Sequence, residues 1–378
     1  MAAVAAPAGR ELRRDERYTV SVQEYITFRR QGFLVVRGLI PPEDITELRG
    51  HTEDLMQGRL PEQTVAMPLR DPGADGAVSV QRLEAPPAHL SPAEKAQHWL
   101  RIHMLHRQLE LHERYLLHPR VLDVLEALIG PDVLALQTML FLKPPGKLGQ
   151  GWHQDSYYIP TQPDTLCGAW LAIDDADEFN GAMWMATGSQ FEPVYPPVAG
   201  YGFGDQYLGG IERVGGVSNP DDAQNDLAKI ADRYPQLLVA ARAGDVVFFG
   251  GHILHRSKRN ATADRFRRAF VGHYCNARSF TQWGADTPRD DVHAALAVDP
   301  TTGMTNGSHI LARGDTHLPF ALPRFGTPCA ALLAPEERRR QSAHAAAMMG
   351  DMDSGLMGAM DADPDIEHDD HDDAAGEP

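Results

Sequence analysis

The sequence predicts a mainly β domain with helical decoration, an α+β class, on three observations. Apolar, strand-like runs concentrate between Val133 and about Asn276, with Val246–Phe249 and Arg267–Tyr274 the clearest. Gly244-Asp245 stands just before one of them, as a turn into a strand should. Helical patterns with proline or acidic starts and a glycine stop occupy the region before Val133. At 378 residues the chain is long enough for one large domain of this kind, and nothing in it marks a second.

In chain order, Val22–Gln31 reads as a short helix closed by Gly32, followed by a buried strand at Phe33-Leu34-Val35-Val36-Arg37. Pro41-Pro42-Glu43-Asp44 opens a second helix, with Ile45, Leu48 and Leu55 on one face and acidic residues at its positive end. A third helical region, rich in Leu and His, is expected over Pro92–Leu128. The β core is then expected over about 133–285, inside a single domain of residues 17–340. Between about 190 and 242 lies an insertion with Gly200, Gly202, Gly204, Gly209 and Gly210. It reads as a lid or substrate loop, with a plain surface excursion as the alternative. No strand–Gly-x-Gly-x-x-Gly–helix unit surrounds those glycines, so they form no phosphate-binding fingerprint. Residues 1–16 are expected to be flexible, and 341–378 to be a disordered acidic tail of Met, His and Asp without the aromatics a core requires.

Charge excludes some partners. The formal net charge is -17, but residues 350–378 hold eleven acidic and no basic residues, which leaves 41 acidic against 35 basic elsewhere. No Lys/Arg cluster interleaved with aromatics occurs, so a nucleic acid partner is not expected. Cys167, Cys275 and Cys329 are few, odd in number and far apart, which suits free thiols in a reducing compartment. Arg10, Arg13 and Arg14 fall where the apolar part of a signal peptide would be, and no run reaches membrane-span length. A cytoplasmic location is expected, with the sequons at Asn260 and Asn306 carrying no meaning there.

The chemistry concentrates in Trp152-His153-Gln154-Asp155 and Leu254-His255-Arg256-Ser257. In an extended strand His153 and Asp155 share a face. With His255 they offer two imidazoles and one carboxylate, the set that leaves positions open on Fe(II) and suits oxygen chemistry. Cysteine is absent from both motifs, and thiolates would select other metals. His-x-Asp alone recurs often; the second block is what lifts it.

Further residues carry a resemblance. Gly130–Leu140, Lys143-Pro144-Pro145, Trp152–Asp155, Ala169-Trp170, Asn180-Gly181-Ala182, Thr187-Gly188-Ser189, Gly244–Phe249 and His255-x-Ser257-x-x-Asn260 together resemble the phytanoyl-CoA dioxygenase family, from about Val22 to about Ser279. The resemblance implies a double-stranded β-helix, a jelly-roll or cupin-like core, and an enzyme dependent on Fe(II), 2-oxoglutarate and O2. It implies that His153, Asp155 and His255 are iron ligands and that Arg267 binds the distal carboxylate of 2-oxoglutarate, as a planar guanidinium is suited to do. One extra residue between His255 and the arginine pair leaves Arg267 and Arg268 as candidates, and Arg267-Arg268-Ala269 matches the family's Arg-basic-Ala run. Ser257, Met139 and Trp170 match positions lining the co-substrate pocket, and Arg101 falls near a family Lys that contacts it. The implied reaction hydroxylates a small organic or acyl substrate, acyl-CoA included, with release of succinate and CO2. Relatives that halogenate have lost the carboxylate ligand, so Asp155 argues for hydroxylation.

Plainer readings stand beside these. His103, His106, His112 and His118 are expected to pack on a helix, and His112-Glu113 lacks the second His at the spacing of a zinc protease. His252 is a competitor for the ligand role of His255 but lacks the following Ser and Asn. His273 shares a strand face with Arg267 by parity. Tyr157, Tyr158 and Trp184 are candidates to line the pocket, and Lys143, Lys147, Arg213 and Arg242 to meet a CoA phosphate. Two other functions use the same site: a non-catalytic metal- or ligand-binding protein, and a zinc hydrolase that works without oxygen.

Overall fold

A computed structural model of the chain describes residues 16–65, 83–196, 198, 210–281, 309–316, 321 and 323–325. The segment 1–15, the expected tail 341–378, Cys329, Asn306 and the glycines from Gly200 to Gly209 lie outside the described residues.

Local signals place the first elements as expected. Helix α1 (Val22–Gln31) begins with a capping box between Ser21 and Glu24 and stops at Gly32, whose φ of 82° suits glycine. Strand β1 (Phe33–Val36) follows, then α2 (Pro42–Gln57), which buries Ile45, Leu48 and Leu55. The region Pro92–Leu128 departs from expectation. It breaks into α3 (Pro92–His98), strand β2 (Arg101–His103), a 3-10 turn, α4 (Glu110–Leu116) and α5 (Pro119–Ile129). Met104 at φ 60° stops helix propagation after β2, and Pro119 sits in the first turn of α5.

The core strands are β3 (Val133–Lys143), β4 (Cys167–Ala172), β5 (Met183–Ala186), β6 (Gln236–Val239), β7 (Val246–Gly250), β8 (His255–Ser257), β9 (Arg267–Asn276) and β10 (Ile310–Arg313). The larger sheet runs β1-β7-β4-β9-β3-β10, with β2 also paired to β3, and the smaller runs β8-β5-β6. Every one of these pairings is antiparallel. The core therefore recruits β1, β2 and β10 from outside 133–285. The insertion expected over 190–242 is more than a loop, because it supplies α6 (Asp226–Ala231) and the edge strand β6.

Side chains alternate along each strand, and that period of two sorts the layers. Val246 and Phe248 of β7 turn toward the helices, packing in one cluster with Leu48, Leu122 and Phe270. Val247 and Phe249 turn the other way and join Met183, Met185 and Val239 of the smaller sheet. The result is a double-stranded β-helix backed by helices on one face of its larger sheet. The functional side chains come from the positions that face between the sheets.

Candidate active site

His153 and His255 are brought together by a single antiparallel bridge, each N–H donating to the other residue's carbonyl at 3.1 Å. Asp155 lies on no strand. It opens a 3-10 turn, Asp155–Tyr157, and the turn rather than strand alternation returns its carboxylate to the two imidazoles. The imidazole centroids stand 4.1 Å apart, and Asp155 Oδ1 lies 3.6 Å from the Nε2 of both rings.

The second ring nitrogens set the tautomers. His153 Nδ1 lies 2.8 Å from the Gly151 carbonyl and His255 Nδ1 3.0 Å from that of Ile253. A carbonyl only accepts, so each Nδ1 carries a proton and each Nε2 is the nitrogen turned toward Asp155. Burial, and then the neighbouring His255, pushes the His153 imidazole down to about 3, so it is neutral at physiological pH. Burial alone would raise the Asp155 carboxyl. His255 and a hydrogen bond from His273 outweigh it and hold Asp155 well below the usual carboxylate range. Among the described residues these three are the group whose ligand atoms all fall within 4.8 Å of one another. Two imidazole nitrogens, one anionic oxygen and no thiolate fit a ferrous ion with positions left open.

His273 completes the carboxylate's surroundings. Its Nε2–H donates to Asp155 Oδ2 at 2.9 Å, and its Nδ1 accepts from the Gln137 amide at 3.0 Å. The chain Gln137–His273–Asp155 leaves Oδ1 toward the imidazoles and ties Oδ2 away from them. Parity had placed His273 on the face of Arg267; Gln137 carried no expected role. Both follow from alternation once Met139 is known to face inward, because Gln137, Met139, Phe141 and Lys143 then share a face.

A cavity of about 570 Å³ opens beside the cluster and is lined by all eight residues expected at the site: His153, Asp155, His255, Arg267, Ser257, Trp170, Met139 and Arg101. Arg267 is 4% exposed, its Nε has no hydrogen-bond partner, and its guanidinium lies 5.8 Å from the Trp170 ring centre and 5.9 Å from that of Phe141. Burial lowers its pKa to about 10, which still leaves it charged at neutral pH. Arg268 points to the opposite face, where it grips Asp174 through Nε at 2.7 Å and a terminal nitrogen at 2.8 Å. Arg101 sits on β2 and is exposed at the cavity.

The other histidines divide. His103 lies on β2 rather than a helix, lines the cavity, and is lowered to about 4, first by burial and then by Arg101. His252 is held by Asp164 at 2.7 Å and the Glu192 carbonyl at 2.8 Å, apart from the cluster. His106, His112 and His118 are buried in the helical layer. Tyr158 lines the cavity, with its hydroxyl 2.8 Å from Ser218 Oγ. Trp184 does not line it and instead carries the Lys258 ammonium 4.6 Å above its ring. Asn260 is fully buried, its amide donating to the carbonyls of Lys143 and Arg265, so its sequon is structural.

Two imidazoles, a carboxylate and an inward guanidinium in the cavity of a double-stranded β-helix define the class of Fe(II)- and 2-oxoglutarate-dependent oxygenases. The family model described as phytanoyl-CoA dioxygenase (PhyH) matches residues 28–269, and the chain belongs to that family. The peroxisomal phytanoyl-CoA dioxygenase of Rattus norvegicus is 28% identical over 262 residues, 68% of each chain. That of Homo sapiens is 26% identical, over 66% of this chain and 67% of the other. The ectoine dioxygenase of Nocardia farcinica is 24% identical, over 64% of this chain and 74% of its own. Among solved structures, the carbocyclase SnoK from nogalamycin biosynthesis is similar at 20% identity and a TM-score of 0.48, covering 70% of this chain and 88% of SnoK. EctD from S. alaskensis is similar at 19% identity and 0.46, over 68% of this chain and 77% of EctD.

Proposed function

We propose that this dioxygenase hydroxylates a small organic or acyl substrate at the cluster of His153, Asp155 and His255, with 2-oxoglutarate held by Arg267 and Ser257. One observation carries the reading: a single cavity contains three convergent ligand atoms and a buried guanidinium whose Nε has no hydrogen-bond partner and which forms no ion pair with a carboxylate of the described residues. A ferrous ion bound there supplies oxygen activation coupled to decarboxylation of 2-oxoglutarate to succinate and CO2. The protein's share is positioning. Arg267 offers parallel N–H donors to the distal carboxylate, and Trp170, Phe141 and Met139 wall that end against water. Arg101 adds a cation at the exposed side, for the same co-substrate. Asp155 occupies the place that halide would need, which favours hydroxylation.

Four basic residues were candidates for a CoA phosphate. Lys143 is buried, and Lys147, Arg213 and Arg242 are exposed but do not line the cavity. The acyl-CoA form of the substrate named for the phytanoyl-CoA dioxygenases therefore rests on the family alone. Among the described residues no helix is long and apolar enough to cross a membrane. A cytoplasmic site of action belongs to the same proposal, supported by the free, buried Cys167 and Cys275.

The test is succinate release from 2-oxoglutarate. It should require both Fe(II) and O2 and disappear in Asp155→Ala and His255→Ala. Turnover of a substrate without oxygen would favour the zinc hydrolase, and metal binding without any turnover the non-catalytic protein. A substrate screen should show product mass raised by one oxygen with matching succinate.

A further inference from the structure

Lys143 on β3 is the register partner of Arg267 on β9. Both are buried, at 8% and 4% exposure. Among the described residues neither forms an ion pair with a carboxylate. Lys143 Nζ donates to Ser257 Oγ at 3.0 Å and to the Lys258 carbonyl at 2.6 Å, and Gly181, at φ 86°, leaves the room it occupies. Two adjacent buried cations with no carboxylate in ion-pair contact are unfavourable, and burial, then Arg267, pushes the Lys143 ammonium down to about 6. Such a pair is explained by an anion that arrives as ligand.

The Ser257 hydroxyl shows where that anion sits. A hydroxyl has one proton and two lone pairs. Ser257 Oγ accepts from Lys143 Nζ at 3.0 Å and from the Gln150 N–H at 3.3 Å. With both lone pairs engaged, its proton is directed away from these donors, and Ser257 lines the same cavity as Arg267. Lys143 does not line it. Resting on the co-substrate reading above, we propose that Lys143 is a positioning residue which, through Ser257, fixes a hydroxyl donor on the distal carboxylate of 2-oxoglutarate.

The experiment is anaerobic calorimetry on the full-length, Fe(II)-loaded protein, titrated with 2-oxoglutarate or with 2-oxopentanoate, which lacks the distal carboxylate. Lys143→Met should weaken 2-oxoglutarate about tenfold, the scale of one hydrogen bond to a charged group, and leave 2-oxopentanoate within about twofold. Lys143→Gln, which keeps a donor, should recover part of the loss. Adding Lys143→Met to Ser257→Ala should cost little more than Ser257→Ala alone. An unchanged affinity in Lys143→Met, an equal loss for both acids, or losses that multiply in the double variant would each overturn the proposal. If Lys143→Met does not fold, Lys143→Gln decides: a loss that vanishes in the Ser257→Ala background supports it, and any other result overturns it. Arg267→Ala separates the two levels. If it binds 2-oxoglutarate like the wild type, the co-substrate reading itself fails; if it alone loses binding, only the role of Lys143 fails.

Discussion

Asp155 gives its two oxygens different surroundings, and His273 is what keeps them apart. Oδ1 stands 3.6 Å from both imidazole Nε2 atoms while Oδ2 accepts from His273 at 2.9 Å, so that bond turns Oδ1 toward an ion held by the imidazoles. His273→Leu should lower Fe(II) affinity by roughly 10- to 100-fold, the usual effect of losing a hydrogen bond behind a metal ligand. Competition against a chromogenic chelator measures this, with His273→Gln recovering part; affinity within twofold of wild type would rule the role out. The arginine pair separates stability from binding. Arg268→Met strips Asp174 of its bidentate partner in a half-buried setting, leaving it Arg49 at 3.5 Å, and should cost roughly 2 kcal/mol in chemical denaturation. Arg267→Lys leaves no such orphan and should keep its denaturation midpoint while losing 2-oxoglutarate affinity. At this scale much of the site was legible: His153, Asp155 and His255 follow from the two motifs, although a turn and not strand parity returns Asp155 to the imidazoles, and Arg267 follows from the family resemblance. Gln137 and Lys143 were legible only in principle, because a single polar residue in an apolar run carries no sign of what it faces.

Elements defined by local chemistry were read more surely than those defined by distant partners. Both α1 and α2 announce themselves through Ser21, Glu24, Pro42 and the closing glycines, all within a turn of the ends they mark. By contrast β2 exists because Arg101–His103 find the edge of β3 some 40 residues on, at Met139–Phe141, and a Leu- and His-rich run reads as helix until that partner is known. For the same reason β6 was lost within a glycine-rich insertion, since its pairing with β5 is non-local. The segment carrying His153 shows how an irregular element is held. A Cβ on Gly151 would lie 1.7 Å from the Asn219 carbonyl oxygen, while the Gly151 carbonyl orients His153 and the adjoining Trp152 is fully buried. Gly151→Ala must shift one side of that contact, at about 1–3 kcal/mol of strain. The far-UV circular dichroism should be retained and Fe(II) affinity reduced; wild-type metal affinity in a folded Gly151→Ala protein would show that this approach does not position His153.

For the molecule as a whole, the buried Lys143 beside Arg267 makes stability depend on pH in a direction that can be worked out. Lys143 titrates near 6 when folded against an ordinary value of 10.5. Between those values the unfolded chain binds the proton and the folded one does not, so the contribution of this group to stability rises with pH. Its penalty is fully present below about 6 and gone above about 10.5. Other groups titrate too, but they cancel when Lys143→Met is compared with the wild type, as long as they do not couple to Lys143. The melting temperature of the variant minus that of the wild type, measured without metal or co-substrate, should therefore fall as pH is raised from 6 to 9. Saturating 2-oxoglutarate supplies the missing anion, returns the folded pKa toward its ordinary value and flattens the difference, besides stabilising the native state by mass action. A difference that stays constant across that range without ligand would mean that the ammonium is solvated or neutralised in solution, and that the charge beside Arg267 is balanced before 2-oxoglutarate arrives.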